Sequence, residues 1–330
     1  MVRALHCLTW LAIALSWVPS AAAQTFDTVG TRAAGMGGAF VAIADDASAA
    51  YWNPGGFAAG NFFTMVVDRS TTKADPGRPD GAWQGDGLLV SLGMPALGLS
   101  YYRLHSAVLT PAVLPTQSAL APAGVRVDTL VTHHSGVTLV QSIVRGVAIG
   151  TTLKVVRGVA GSVLRVDRDR DDLLRGDNGP TGKGTSKFDA DVGVMATAGT
   201  LKAGLTVRNV TEPAFPTGSD RRALSLDRQI RAGVAVAVAE GWAVAADLDL
   251  TQGRGPDGPV RQFATGTEGR IGRKAFLRGG LRLSTAGPAN PAASAGASYA
   301  VMGSVLIDAH VTAGADEASR GWGVAARFVY

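Results

Sequence analysis

Cysteine is all but missing from this sequence: the single one, Cys7, stands near the start, so disulfide staples, thiolate catalysis and cysteine-held metals are excluded from everything after it. Aromatic residues fill only 6% and charged residues 17% of the 330 positions. Long apolar runs are absent as well. Past the first two dozen residues nothing approaches the ~18 apolar residues of a membrane-spanning helix, and the longest candidate, 232–239, is bounded by Arg231 and Glu240. Blocks of one charge are also missing. The net charge of +5 is scattered rather than gathered into a basic face, so no nucleic-acid partner is expected.

The residues that are present define a folded chain of one class. A hydrophobic content of 46% is too high for a disordered polymer. The 43 glycines argue against a helical protein, because each glycine inside a helix costs about 1 kcal/mol relative to alanine. The first residues have the form of a secretory signal: Arg3, then the apolar stretch from Leu8 to Val18, then Ala21-Ala22-Ala23 ahead of Gln24. The expected organisation is therefore a signal peptide at 1–23, an amino-terminal segment at 24–60 and a main body at 61–330.

From Asn61 onward, segments of about ten residues alternate apolar with polar or small side chains, the period that puts successive residues on opposite faces of a strand. Trp322, Val324, Ala326, Phe328 and Tyr330 share one face of the last segment, opposite Gly323, Ala325, Arg327 and Val329. Leu277, Leu281 and Leu283 back onto Arg278 and Arg282 in the same way, and Trp242, Val244, Ala246, Leu248 and Leu250 back onto Asp247 and Asp249. About fourteen such segments occur, joined alternately by short and long links, with both chain ends on the short-link side. That is the construction of an all-β, transmembrane antiparallel β-barrel of the outer membrane, whose apolar face meets lipid. Closure leaves no strand edge unpaired in a medium without water. Asp189, Asp191, Lys202, Arg208, Arg231, Asp247, Asp249, Glu268, Arg270, Arg278, Asp308 and Arg327 should then line the lumen.

Residues 30–57 carry a run of small residues, then Ala44-Asp45-Asp46-Ala47, then Asn53-Pro54-Gly55-Gly56. This stretch resembles the amino-terminal signature of FadL-like and PorV-like outer-membrane proteins, with Gly55 where that group usually has alanine. The alternating carboxyl-terminal run Trp322, Val324, Phe328 and Tyr330 looks like the family's signal for the barrel-assembly machinery. The resemblance implies a fourteen-stranded barrel with a short helical, glycine-rich hatch inside the lumen. The residues agree with a hatch: Gly35, Gly37 and Gly38 permit close approach to a wall, Asp45, Asp46 and Ser48 suit the start of a short helix, and Asn53-Pro54 ends it.

Other motifs fail on inspection. Gly35-Met36-Gly37-Gly38 lacks dinucleotide spacing, and Gly182-Lys183-Gly184 lacks the rest of a phosphate loop. Asp167, Asp169 and Asp171 have calcium-loop spacing but meet Asp172 and Asn178 where glycine and glutamate are required. His133 and His134 point to opposite faces of an extended strand, with no carboxylate placed to orient either. No enzyme, cofactor or metal site is expected. The link 107–123 is different, because Val108, Leu109, Val113, Leu114 and Leu120 make an apolar, proline-stiffened connection on the proposed outer side. Surface of that kind binds or covers something.

The expected function is a FadL-like channel for passive uptake of a hydrophobic small molecule, captured at those residues. The alternative is a PorV-like accessory barrel holding a secretion-system protein, for which the long polar link 159–187 would serve. Outer-membrane lipid is the expected surrounding of either.

Overall fold

The computed structural model describes residues 29–74, 82–112, 124–165, 170–175, 183–218, 223–255, 258–315 and 319–330. The signal segment, residues 24–28, Asp167, Asp169, Val113, Leu114 and Leu120 lie outside the described residues. In chain order the strands are β1 (Thr64–Ala74), β2 (Trp83–Met94), β3 (Leu97–Ala112), β4 (Gly124–Val144), β5 (Val147–Arg165), β6 (Thr185–Ala198), β7 (Leu201–Arg208), β8 (Ala214–Pro216), β9 (Ala223–Ser225), β10 (Gln229–Ala239) and β11 (Trp242–Asp249). They continue with β12 (Gly253–Gly255), β13 (Gly258–Val260), β14 (Gln262–Ile271), β15 (Ala275–Ser284), β16 (Ala292–Met302), β17 (Val305–Gly314) and β18 (Ser319–Val329). Fourteen of these close into one antiparallel barrel, with β1 paired to β18; β8–β9 and β12–β13 are separate hairpins within the long links. No helix among the described residues is long and apolar enough to cross a membrane.

One end of the barrel is built from tight turns, in which Gly146 and Gly199 take φ of 82° and 61°, values that glycine adopts without a steric penalty. The chain ends meet there, Phe63 and Tyr330 exchanging backbone hydrogen bonds of 3.1 and 2.9 Å. The outward residues are bare: Leu281 is 58% and Val311 61% exposed, whereas the inward Arg278 and Asp308 are 5% and 1% exposed. The expected segregation of charge to the lumen holds on β6, β7, β10, β11 and β14–β17, while Arg69, Arg103, Arg157 and Arg320 face outward on β1, β3, β5 and β18.

Three strands run longer than alternation predicts. β3 continues into the expected link 107–123 as far as Ala112, β4 begins at Gly124, and β5 continues into the expected link 159–187 as far as Arg165. The signal fades because both faces are buried there. Leu109 and Val127 pack with Leu173 and Leu174 of a short helix, Arg170–Arg175, while Leu130 and Ala160 on the opposite face pack with Phe215 of β8.

Residues 29–60 fill the lumen as a hatch, and their contact with the wall is made through glycine. Four pairs of glycines stand directly opposite each other on adjacent strands: Gly93–Gly98, Gly150–Gly193, Gly204–Gly233 and Gly266–Gly280. Each pair receives one part of the hatch. A Cβ at Gly98 would lie 2.7 Å from the Phe57 ring, one at Gly193 2.6 Å from Pro54, one at Gly204 2.6 Å from the Val41 carbonyl oxygen and one at Gly266 2.8 Å from the Met36 side chain. Such distances are inside van der Waals contact, so only a residue without a side chain fits.

Gly280→Ala therefore pushes Met36 and Gly37 off the wall, at about 1–3 kcal/mol for the forced shift, whereas a Cβ at the adjacent Gly279 meets nothing within 4 Å. The expected outcome is a folded barrel with a protease-sensitive hatch for Gly280→Ala and an unchanged digestion pattern for Gly279→Ala. Equal protection in both would sink the account.

Candidate functional site

The hatch begins with a helical turn, Thr31–Gly35, crosses the lumen through Gly37 and Gly38, and returns through the turn Ala49–Trp52 into a 3₁₀ segment, Pro54–Ala59. Its local chemistry differs in detail from the expected capped helix. Ser48 stands at the start of the Ala49–Trp52 turn without capping it; instead Asp46 accepts bonds from the Ser48 backbone N–H at 2.9 Å and hydroxyl at 2.5 Å. Asn53 and Pro54 open the 3₁₀ segment rather than merely ending a helix, the Asn53 side chain accepting from the Gly55 N–H at 3.1 Å.

An irregular chain buried inside a closed sheet needs partners for its backbone, and the wall supplies them. Asp247 of β11 accepts from the Phe40 and Val41 N–H groups at 2.8 and 2.9 Å. Asp68 of β1 accepts from the Thr31 N–H at 2.5 Å, and Ser91 of β2 donates to the Ala47 carbonyl at 2.7 Å. Asn53 donates to the carbonyls of Val41 in the hatch and Val194 in the wall, each at 2.9 Å.

Charge ties the hatch to one side of the barrel. Arg32 pairs with Asp45 at 2.6 Å, Asp46 at 2.9 Å and Glu268 of β14 at 2.7 Å. Arg278 pairs with Glu268 at 2.5 Å, and Arg327 pairs with Asp308 at 3.1 Å and Asp46 at 3.6 Å. Burial raises the Asp46 carboxyl, but Arg32, Arg327 and the Ser48 hydroxyl outweigh it and hold the group below the ordinary carboxylate range. The carboxylate end of the tie is thus charged at neutral pH and is lost only as the pH falls through that lowered value.

A second cluster is fully sealed: Lys154 lies 2.7 Å from Asp191 and 3.1 Å from Asp189, with none of the three side chains exposed. Asn209 accepts from Lys154 at 3.1 Å, and His134 stacks on Tyr102 with centroids 4.2 Å apart. Three hatch aromatics each lie beneath an arginine: Phe40 under Arg32 at 5.1 Å, Tyr51 under Arg208 at 3.5 Å and Trp52 under Arg231 at 5.7 Å.

Toward β1–β3 the hatch contact is mainly apolar, with the Asp68 and Ser91 bonds beside it. Val66 of β1, Leu89 of β2 and Tyr102 and Leu104 of β3 join the buried cluster of hatch residues that includes Phe40, Tyr51 and Trp52. Among the described residues no ion pair links the hatch to β2 or β3.

The remaining predicted residues separate. Gly35 packs against Gly296 of β16 and Gly37 against the Leu281 backbone, while Gly38 offers its carbonyl to Arg231 at 3.4 Å. Val108 and Leu109 are on β3 rather than in a link, and Leu109 is 1% exposed beneath the Arg170–Arg175 helix. Trp322, Val324, Phe328 and Tyr330 are exposed on the outward face. His133 and His134 do point to opposite faces: the first meets the Tyr101 hydroxyl at 2.8 Å, and the second is buried. The Lys154 cluster and the part played by Arg32 have no motif and were not foreseen.

This architecture has relatives among solved structures. The chain superposes on the CymD monoaromatic hydrocarbon channel with a TM-score of 0.64 at 13% identity, covering 92% of this chain and 97% of that one. The P. putida toluene transporter TodX gives 0.58 at 13% identity over 92% and 98%, and a Pseudomonas aeruginosa FadL homologue 0.55 at 11% over 92% and 98%. At these identities the likeness is one of fold: a FadL-type, fourteen-stranded barrel. A family model described as "F plasmid transfer operon, TraF, protein" matches residues 110–249. No curated protein matches the sequence, and none of these comparisons supports the PorV-like side of the resemblance.

Replacing Lys154 by Met leaves two buried carboxylates, Asp189 and Asp191, with Arg208 as the remaining nearby cation, a loss of up to about 3–5 kcal/mol for a broken buried pair. The unfolding midpoint in urea, followed by the electrophoretic shift between folded and unfolded barrel, should fall markedly. Adding Asp189→Asn and Asp191→Asn should restore most of it. A lone Lys154→Met as stable as the parent would contradict the assignment.

Proposed function

We propose that the protein is an outer-membrane channel for passive entry of small hydrophobic molecules, exported by the signal at 1–23 and closed at rest by its hatch. One observation carries the reading: the hatch is ion-paired to the wall on the side of β14 and β18, whereas toward β2 and β3 it packs on Leu89, Tyr102 and Leu104 with no ion pair among the described residues and the neutral Ser91–Ala47 bond as its polar contact. Parting an apolar contact exposes no unpaired charge, whereas parting the ion-paired side leaves buried charges stranded at several kcal/mol. The seam that opens at least expense is thus lined by carbon, and it suits a solute that needs no hydration.

A lumen packed with aromatic and aliphatic side chains is unlike a water-filled pore. CymD and TodX, which share the fold, are named as a monoaromatic hydrocarbon channel and a toluene transporter, and that chemistry fits the seam. Capture is assigned to the apolar stretch holding Val108, Leu109, Val113, Leu114 and Leu120 at the outer end. There Leu109, Val127, Leu173 and Leu174 already form a cluster. Nothing in the proposal requires a cofactor or a nucleotide.

Uptake of radiolabelled toluene and of a hydrophilic sugar by cells producing the protein tests this. Toluene entry should rise above that of cells lacking the protein, with sugar entry unchanged. Leu109→Ser with Val113→Ser and Leu114→Ser should lower toluene entry roughly tenfold, the effect of losing a few buried methylene contacts. Entry of sugar and toluene at equal gain would refute the seam.

A further inference from the structure

Charge on the lipid-facing side of the wall is confined to one part of the circumference. The outward positions of β6, β7, β10, β11 and β14–β17, such as Leu205, Val234, Leu248, Leu281 and Val311, carry no charged side chain. The outward charges fall instead on β18 and β1–β5: Arg320, Arg69, Lys73 and Asp86, and, in register on β3, β4 and β5, Arg103 directly opposite His133 and His133 directly opposite Arg157. Opposed side chains on neighbouring strands start about 5 Å apart, so three nitrogen-bearing heads gather within about 10 Å. Both arginines are exposed, and among the described residues no carboxylate lies in ion-pair range of either. The nearby outward acid, Asp86 of β2, is engaged by His105 at 3.1 Å, by Gln84 at 3.1 Å and by Thr71.

The row also lies on a boundary. Toward the tight-turn end the outward wall is bare and apolar: Leu99 is 46%, Val137 43%, Leu153 45% and Val155 51% exposed. Toward the other end the same faces are covered: His105 is 8%, Leu109 1%, Val131 9% and Val127 4% exposed, with Leu109 and Val127 beneath Leu173 and Leu174 of the overhanging helix. Arg103, His133 and Arg157 thus form a cationic ledge under that overhang and above a greasy wall. An arginine facing lipid costs about 2–4 kcal/mol at the bilayer midplane and about 0–1 near an interface, which places the ledge at headgroup level. Tyr101 lies 2.8 Å from His133 Nδ1; with the hydroxyl donating, the ring proton sits on Nε2 and is free to be donated outward.

We infer that the ledge binds the phosphate of a membrane lipid, whose acyl chains lie along Leu99, Val137 and Leu153. Arg103 and Arg157 clasp the phosphate from either side and His133 donates between them, the charge-assisted geometry that phosphate oxygens favour. The site rests on the membrane-barrel reading given above but not on the hydrocarbon one. Inorganic phosphate presents the same oxygens without the chains, so the wall separates the two ligands.

The test is native mass spectrometry of the full chain in detergent micelles containing dioleoyl phosphatidic acid, dioleoyl phosphatidylcholine or inorganic phosphate at equal concentration. Phosphatidic acid should be retained well above the other two, and Arg103→Gln and Arg157→Gln should each cut its retention about fivefold. The folded electrophoretic mobility should stay unchanged, because these side chains pack against nothing in the lumen. Equal retention of the two lipids, equal retention by parent and variants, or inorganic phosphate held as well as the lipid would each overturn the assignment. A purified chain that stays soluble and ignores vesicles would instead remove the membrane reading beneath it.

Discussion

Polypeptide packed inside a closed sheet must bring backbone against backbone, and the distance at which that happens governs the rest of this structure. The wall gives up its side chains in pairs at four places, and into each gap the hatch lowers a ring, a proline or a stretch of main chain. The glycines act on the polar contacts as well. Gly233 is directly opposite Asp247, and a Cβ there would collide with the Asp247 carboxylate. Its absence lets that carboxylate turn inward to the Phe40 and Val41 amides. Close approach and hydrogen bonding are one device: the first removes the water that would otherwise solvate the hatch backbone, and the second replaces what the water supplied.

Removing water also raises the stakes for every charge. The lumen holds arginines, a lysine and carboxylates at burial levels where an unpaired ion costs several kcal/mol, and they are stable only because they come as clusters. Arg32 and Arg327 reach the same hatch carboxylate from opposite sides, so Asp46 is held by one residue of its own segment and one of β18. Arginines placed over Phe40, Tyr51 and Trp52 use aromatic faces as further partners. The outcome is a hatch whose two sides differ in kind. One is fixed by directional ion pairs that are lost together, and the other mainly by dispersion contacts with a few hydrogen bonds to neutral hatch groups.

The barrel was legible because its signal is redundant. Leu277, Leu281 and Leu283 against Arg278 and Arg282 repeat in one strand what Val305, Ile307 and Val311 against Asp308 and His310 say in another. The hatch was legible through the Ala44–Ala47 and Asn53–Gly56 blocks and the resemblance they carry. Alternation failed where burial became two-sided: Leu109 and Val127 are covered on the outward face as well as Leu130 and Ala160 on the inward one, so the upper ends of β3 and β5 read as links while β4 was still read as a strand. The glycine pairs were hidden for another reason. Gly266 and Gly280, or Gly150 and Gly193, are far enough apart in sequence that their pairing exists only once register is fixed, and composition alone reads them as poor helix formers. Lys154 meets Asp189 and Asp191 by the same long-range register, and Arg32 has no motif at all.

Two rules for charge follow from one sheet. On the inner face a charge is admitted wherever a neighbouring strand or the hatch supplies its counterpart, so Asp308 can sit between Arg278 and Arg327 at any height. On the outer face there is no hatch to supply a counterpart, and on β3–β5 the charges stand where the bare apolar wall ends. The extended upper halves of β3–β5, sheltered outside by Leu173 and Leu174 and inside by Phe215, are protein-covered on both faces and need no lipid. Arg103 and Arg157 stand at the foot of that sheltered region, where the bare wall begins. On these strands the outward residues change from leucine and valine to arginine at that boundary, so the end of the bare apolar wall is written into the sequence.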